Sequence, residues 1–152
     1  IPAGKENSAM MKKIIGKKIV VPQNNVPIAN YAWKEVSFEK AGKQMLMHIV
    51  MKDGSSYTQQ LGYRNWGTSE IAGFPPYSLN PIDWKKGLEG PFYAAGAFGW
   101  EKNTLNTSLH YVNWVTSIHI SWKFAADGKT VILSITNNLA KNKVVEVECA
   151  VE

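Results

Sequence analysis

Hydrophobic and polar residues alternate one by one along much of this chain, which is the pattern of β-strands with one buried face. The clearest example is SIHISWKF, residues 117–124, in which both isoleucines, the tryptophan and the phenylalanine fall on one face. The pair Asp127-Gly128 follows and predicts a hairpin turn, because glycine tolerates a positive φ. The stretch TVILSIT then returns with the same alternation, so the sequence predicts two neighbouring antiparallel strands here.

The same alternation recurs in most of the remaining chain. It appears in QMLMHIVM and SSYTQQLG, which Asp53-Gly54 joins as a second hairpin, and in TLNTSLHYVNW and VVEVECAV. The segments KKIVVPQN, YAWKEVSFE, WGTSEIAG and FYAAGAFGW bring the total to roughly nine or ten short strands. One short helix or turn is predicted from about Asn7 to Ile15. The pattern therefore predicts an all-β fold, an antiparallel lipocalin-like β-barrel, with a β-sandwich as the alternative.

The 152 residues are predicted to form one domain. Residues 1–10 contain proline, glycine, asparagine and serine with little apolar content, so they are predicted to be a linker before a single barrel domain at 11–152. Residues 73–91 contain four of the seven prolines and are predicted to be a long loop, which in a compact domain is often functional. Because the sequence begins with Ile1 rather than methionine, we expect a processed chain or a part of a longer protein.

The formal net charge is +5, and the excess comes from lysine because Arg64 is the one arginine. Proteins that read nucleic acids rely on arginine for bidentate contacts, so no nucleic acid is expected as a partner. No run of about 18 apolar residues exists, so no membrane-spanning helix is expected. One cluster of lysines near the N-terminus is either a solvated tail or a contact for a phosphate or an anionic surface: Lys5, Lys12, Lys13, Lys17 and Lys18.

The residue types that bind metals or form disulfides are sparse. Cys149 is the one cysteine, and its alternation with valines predicts a buried, small hydrophobic side chain rather than a nucleophile. The three histidines, His48, His110 and His119, lie in separate predicted strands and form no short-spaced ligand pair. Neither a metal nor a cofactor is predicted.

One motif suggests catalysis at first sight. Ser37-Phe38-Glu39-Lys40 matches the Ser-x-x-Lys pattern of penicillin-recognising serine enzymes. That chemistry needs the lysine one helical turn after the serine, whereas residues three apart on a strand point to opposite faces. The motif lies in a predicted strand, so no catalytic residue is assigned to this chain.

Six tryptophans are present, and they raise the possibility of a binding pocket. Trp122 falls among core isoleucines, while Trp66 and Trp100 lie at strand ends and Trp84 lies in the long loop with Tyr77. Aromatic side chains at strand ends and in loops can form an apolar pocket or a platform for sugars. The candidate ligand site is therefore Trp66, Tyr77, Trp84 and Trp100, and packing at the barrel mouth is the alternative role for these side chains.

The order of several segments resembles a known family. The segments are IIGKKIVVPQNNVPIANYAWKEVSFE, then LGYRNWGTSEI, then YAAGAFGWEKNTLNTSLHYVNWVTSIHISWKF followed by DGKTVIL. They resemble the C-terminal, non-catalytic β-domain of β-lactamase-related serine hydrolases, as found in Bacteroidota, over roughly residues 10 to 152. The likeness rests on patterned positions: Gly16, Asn24, Trp66, Gly96, Trp100, Thr104, Leu105 and Tyr111.

This resemblance implies a role for the chain within a larger enzyme. The catalytic Ser-x-x-Lys and Tyr-x-Asn motifs would lie in a separate domain before Ile1, and the protein would be periplasmic or at the cell surface. The main hypothesis is an accessory domain that packs on, or modulates, a catalytic serine-hydrolase domain of the same polypeptide. The alternative is a stand-alone lipocalin-like protein that binds a small apolar or sugar ligand. On both hypotheses this chain is not itself an enzyme.

Overall fold

The computed structural model describes residues 1–23, 32–72, 90–114, 116–138 and 144–152. These ranges contain one short helix, α1 (Ser8–Ile14), and ten strands, most of which follow the predicted alternating segments. The strands are β1 (Ile19–Val20), β2 (Trp33–Ala41), β3 (Gln44–Met51), β4 (Ser56–Tyr63), β5 (Gly67–Ile71), β6 (Phe92–Glu101), β7 (Thr104–Tyr111), β8 (Ser117–Phe124), β9 (Thr130–Asn137) and β10 (Val145–Val151).

The strands close into a barrel. The hydrogen-bonded order is β4-β3-β2-β1-β10-β9-β8-β7-β6, with antiparallel neighbours throughout. A parallel pairing of β4 with β6 then joins the two ends of this order, so nine of the described strands form a closed ring. Closure removes the exposed sheet edges that would otherwise invite aggregation. The predicted all-β, lipocalin-like barrel is therefore confirmed.

The edge of β6 that faces β4 is covered by three segments in turn. β5 pairs with residues 92–96, β4 pairs with residues 96–98, and Lys5 exchanges two backbone hydrogen bonds with Trp100, at 2.9 and 2.8 Å. Gly96 lies where β4 and β5 meet, and a Cβ added there would be 2.6 Å from the Gln60 carbonyl oxygen. Only glycine allows this approach of the strands, because any side chain would push β6 away from β4.

The core lies inside the barrel, since alternate residues of each strand point inward. Phe38 of β2 and Trp122 of β8 meet there edge to face, with ring centroids 5.1 Å apart. These two strands lie on opposite sides of the ring, so the contact spans the barrel interior. Both side chains are almost completely buried. The interior at this level is therefore filled by side chains, as in a small barrel with a packed core.

The helix α1 covers one end of the barrel, which we call the helix end. Its first turn is capped by Asn7, whose side-chain oxygen accepts a hydrogen bond from the Met10 backbone N–H at 3.1 Å. Met10, Met11 and Ile14 are buried against the core. The opposite end of the barrel, reached by the last residues of β3, β7 and β9, is called the far end.

The first residues of the chain contact the barrel, although the sequence predicts a linker at 1–10. Lys5 forms an isolated bridge with Trp100, and the helix begins within this range at Ser8. The composition of the segment is linker-like, but the backbone groups of Lys5 pair with those of Trp100 at the end of β6. No helix in the described ranges has the length and hydropathy needed to cross a bilayer.

Candidate functional site

The helix end of the barrel is closed by contacts between α1 and three neighbouring segments. The Asn7 side chain donates to the Lys102 carbonyl at 2.8 Å, and the Lys13 ammonium donates to the Ala126 carbonyl at 2.7 Å. The Gly16 N–H donates to the Phe38 carbonyl at 3.0 Å. These bonds attach the helix to the β6–β7 turn, the β8–β9 turn and β2.

Partly buried apolar side chains surround the far end and form a feature that we call the far-end rim. They all point inward, and all come from strand ends or a connection at this end. Two of them touch: the rings of Phe92 and Trp114 meet edge to face, with centroids 5.7 Å apart. The members of the far-end rim are Met51, Tyr57, Phe92, Trp114 and Val145.

Tyr57 is the polar member of this rim. Burial raises the pKa of its phenol to about 12, and a hydrogen bond from the Trp33 side chain acts in the opposite direction. The hydroxyl therefore stays neutral at physiological pH and can donate or accept a hydrogen bond. A neutral phenol at an apolar opening suits the polar end of an uncharged molecule.

The barrel interior is neutral in the described residues. The buried polar side chains in the described ranges are Gln59, Thr107 and Thr116, and no charged side chain is buried with them. Thr107 accepts a hydrogen bond from the Trp122 indole N–H at 3.1 Å and donates to the Ile120 carbonyl at 3.3 Å. The chain's one arginine, Arg64, is exposed and lies with its guanidinium carbon 5.2 Å from the centre of the Tyr63 ring.

Gln59 occupies the junction at which β4, β5 and β6 meet. Its Nε2 donates to the carbonyl oxygens of Gln60 at 2.8 Å, Ala94 at 3.1 Å and Gly67 at 3.2 Å. Its Oε1 has no hydrogen-bond partner and is buried. Leaving such an acceptor unpaired costs about 1–3 kcal/mol. The side chain therefore stabilises the closure of the ring and leaves one acceptor unpaired in the interior.

Two of the four residues predicted for the ligand site do not meet in the described structure. Trp66 is 39% exposed on the outer face, and its ring contacts His110 with centroids 4.8 Å apart. Trp100 is buried inside, against Phe124. A cleft of about 20 Å³ beside Trp100 and α1 has room for about one water molecule. Tyr77 and Trp84 lie outside the described residues, so a four-residue pocket remains a prediction.

The rim residues were missed by the sequence-based site prediction. Met51, Phe92 and Val145 read as ordinary members of alternating strands, and nothing in their letters distinguishes them from the core. The signal that could have found them is position. They are inward residues at the strand ends of the far end, where these described side chains are only partly buried.

The apparent catalytic motif lies on β2, with Phe38 of the motif buried in the core. Ser37 lies on the outer face of β2 directly opposite His48, while Lys40 lies three residues on, near the end of the strand. His48 instead contacts Glu39 at 2.8 Å and Thr58 at 2.7 Å. Ser37 and Lys40 thus do not form the helical pair that the serine enzymes need.

Two further titratable groups among the described residues, His119 and Cys149, have shifted pKa values. His119 lies on the outer face beside Ser108 at 3.2 Å, and burial, then the N-terminal charge, lowers its pKa. Burial, aided by the Glu148 charge, raises the pKa of the Cys149 thiol to about 11. The predicted burial of this side chain is confirmed, and a raised pKa leaves less of the reactive thiolate. The described ranges contain no group of three or more histidine, cysteine or acidic side chains that could hold a metal.

Comparisons with known proteins find the fold and no family. No family model and no curated relative match the chain. Among solved structures, it is similar to a fatty acid-binding protein from the brain of Drosophila melanogaster, with 10% identity and a TM-score of 0.52 over 90% of this chain and 99% of that one. It is also similar to an abundant heat soluble (SAHS) protein from Ramazzottius varieornatus, with 13% identity and a TM-score of 0.55 over 98% of this chain and 94% of that one. At these identities the likeness shows the lipocalin-like barrel alone.

Proposed function

We propose that this chain is a non-catalytic barrel protein that binds a small, uncharged and mostly apolar molecule through the far-end rim. The observation that supports this most directly is the contrast between the two ends of the barrel. The helix end is fastened to three segments, while the far end presents partly exposed apolar side chains around a neutral phenol. A binding function also agrees with the name of the fatty acid-binding protein that shares the fold.

The ligand class follows from the charges of the interior. A carboxylate moved out of water without a cation costs several kcal/mol, and the described interior has no cation to pair with it. Neutral groups can instead use the Tyr57 hydroxyl and the unpaired Gln59 oxygen. We therefore expect a neutral amphipathic molecule, such as a medium-chain alcohol, to bind better than the matching fatty acid anion.

The depth of binding is limited by the packed core. The contact of Phe38 with Trp122 fills the interior nearer the helix end. A ligand would therefore occupy the half of the barrel next to the rim and quench the fluorescence of Trp114 there. A ligand that reached the helix end would have to separate these two rings first.

The test is a tryptophan-fluorescence titration with decanol and with decanoate. We expect saturable quenching by decanol and at least tenfold weaker binding of decanoate at about pH 7, with the difference vanishing at about pH 4, where the acid becomes neutral. Val145→Asp places a charge in the rim and should abolish binding. Val144→Asp is the matched control, because that neighbour is 56% exposed and should change nothing. Equal binding of decanoate at pH 7 would refute the neutral-ligand proposal, and no saturable binding of either would refute the function.

A second candidate function, the accessory domain of a serine hydrolase, is favoured by one specific observation. Three large apolar side chains, Trp66, Tyr93 and Val112, are 39–41% exposed on the outer surface near one another, with the His110 ring against Trp66. Exposed apolar surface of this kind is common where one domain packs on another. The intact mass of the native protein in its source cells tests this candidate, because a domain of an enzyme would be found in a species far heavier than 16.9 kDa.

A further inference from the structure

Lysines from three separate parts of the chain lie at the helix end, and we call this the basic surface. Lys12, Lys13, Lys17 and Lys18 come from α1 and the turn after it. Lys40 and Lys43 of the β2–β3 hairpin line the same narrow cleft as Ser8 and Met11 of α1. In the β8–β9 turn, a Cβ at Gly128 would be 3.2 Å from Lys13, which brings Lys129 beside the helix. The members of the basic surface are Lys12, Lys13, Lys17, Lys18, Lys40, Lys43 and Lys129.

Acidic groups near the basic surface neutralise only part of its charge. Lys18 lies 3.8 Å from Glu35, and Glu39 contacts His48. Asp127 accepts a hydrogen bond from the Lys129 backbone N–H. Glu6 lines the cleft with Lys40 and Lys43, and Glu152 pairs with Lys18 through the backbone alone. In the described ranges the remaining lysines of the surface make no ion pair: Lys12, Lys13, Lys17, Lys40, Lys43 and Lys129.

The charge is uneven along the barrel. Toward the far end, the described residues include Lys34 and Lys52 together with three acidic side chains, Asp53, Glu70 and Glu146. Among the described residues, the positive excess therefore does not extend there. Within the ranges that the structure describes, the barrel is thus positive at the helix end and not at the far end.

An exposed aliphatic side chain projects from the middle of this surface. Ile15 is 40% exposed and follows the last helical residue, with two lysines before and two after it in the sequence. Its position is fixed by backbone bonds from its own N–H to Met11 at 2.9 Å and from Gly16 to Phe38 at 3.0 Å. Gly16 has a φ of +71°, which turns the chain sharply after Ile15. The isoleucine is thus held outward on a short, well-bonded turn.

We propose that the basic surface binds the surface of a bilayer that contains anionic lipids, with Ile15 entering the interfacial region. A polybasic patch combined with an apolar side chain supplies the two weak signals that reversible membrane attachment needs. Lysine suits this role because it acts as a point charge and needs no bidentate geometry. A nucleic-acid surface would be expected to use arginine and exposed aromatic side chains for stacking, and neither is part of this surface.

This proposal is independent of the ligand proposal, because the two surfaces lie at opposite ends of the barrel. Binding of a membrane at the helix end would leave the far-end rim facing away from the bilayer. The affinity should be low and should fall steeply with salt, since exposed charges are screened within about 10 Å at 0.1 M ionic strength.

The experiment is sedimentation of the full chain with vesicles of phosphatidylcholine, with and without about 30 mol% phosphatidylserine. We expect binding to the anionic vesicles at about 50 mM salt and its loss at about 500 mM. Each lysine near the surface contributes roughly fivefold in affinity, so Lys12→Gln with Lys17→Gln should weaken binding about 25-fold. The matched control, Lys34→Gln with Lys52→Gln, makes the same charge change away from the basic surface and should weaken it less than about threefold.

Three outcomes would overturn the proposal. One is an equal loss of vesicle affinity in the control variant, since the effect would then come from the net charge alone. Another is binding to neutral vesicles that salt does not change. The third is tighter binding of a single-stranded oligonucleotide than of anionic vesicles, unaffected by Ile15→Ser, which would identify a nucleic-acid surface. Ile15→Ser should weaken vesicle binding severalfold while leaving its salt dependence unchanged.

Discussion

The role of Gln59 in closing the barrel predicts a variant, Gln59→Glu, whose stability depends strongly on pH. Gln59→Glu keeps the size of the side chain and replaces the donor that faces three carbonyl oxygens, at 2.8 to 3.2 Å, with an acceptor. A carboxylate at this fully buried position would face those oxygens without a proton to share. The folded protein is therefore expected to keep the introduced acid protonated, with its pKa far above the ordinary value.

The magnitude follows from proton linkage. The unfolded chain releases this proton above about pH 4.3, while the folded chain retains it, so stability falls as pH rises from that value. If the folded state still holds the proton at pH 7, the loss relative to acid is about 3 to 4 kcal/mol. One O–H also replaces two N–H donors, which removes about 1 kcal/mol at every pH. Gln59→Glu should thus cost about 5 kcal/mol at pH 7 and about 1 kcal/mol at pH 4.

The measurement is urea unfolding followed by tryptophan fluorescence at both pH values. Gln60→Glu is the matched control, because the adjacent residue is exposed and points out of the barrel. Its free energy of unfolding should stay within about 0.5 kcal/mol of the parent protein at either pH. If the two variants had equal stability at pH 7, Gln59 could not be the buried donor that joins β4, β5 and β6. A variant unfolded at pH 7 but folded at pH 4 would agree with the prediction.

Two further predictions concern the buried ionisable groups. The phenol of Tyr57 has a pKa raised to about 12 by burial, against 10.0 when free, so the unfolded state loses this proton first and stability falls between about pH 10 and 12. Tyr57→Phe should remove about 2 to 3 kcal/mol of this loss of unfolding free energy at alkaline pH. A pH profile of urea unfolding that is the same in the variant and the parent protein would contradict this prediction. The thiol of Cys149 has a pKa raised from 9.0 to about 11. Near pH 8 the fraction of thiolate is therefore roughly a hundredfold smaller in the folded protein than in the unfolded chain. Labelling by a disulfide reagent should be at least a hundredfold slower in the native protein than in denaturant, and native rates within tenfold would show that the side chain is accessible.

The strands could be predicted because side-chain alternation is a local property. The segment SIHISWKF places Ile118, Ile120 and Trp122 on one face in the sequence, and all three are buried in the barrel. The hairpins at Gly54 and Gly128 also follow the sequence, since both glycines have a positive φ. Local chemistry thus determines the elements and their inward faces.

The closure of the barrel could not be predicted in the same way. Alternation shows which face of a strand is buried but not which strand lies beside it, and the parallel β4–β6 pair joins residues 61–63 with residues 96–98. The pairing of Lys5 with Trp100 could not be predicted either, because the two residues are distant in sequence and the segment around Lys5 is polar. One signal was available for Gln59, which alternates with Tyr57 and Leu61 on an inward face and is therefore a polar residue in a core position.

The candidate site shows what composition alone does not determine. Tryptophans drew the prediction to Trp66 and Trp100 because large aromatic side chains are common in pockets. In the fold, these two lie on opposite faces of the sheet. Trp66, just before β5, contacts His110 on the outside, and Trp100 of β6 points inward against Phe124. The rim is defined by position in the barrel, and residue type alone carries no information about it.

The neutral interior matters because the similarity to known structures does not extend to side chains. At 10% and 13% identity, a shared barrel leaves almost every inward position free to differ, so a ligand cannot be transferred with the fold. This chain places its arginine outside and fills the helix half of its core with Phe38 against Trp122. The ring contact shortens the available space, and the described interior side chains supply no cation for an anionic ligand. The comparison of decanol with decanoate therefore tests a property of these residues, independently of any relationship to other barrels.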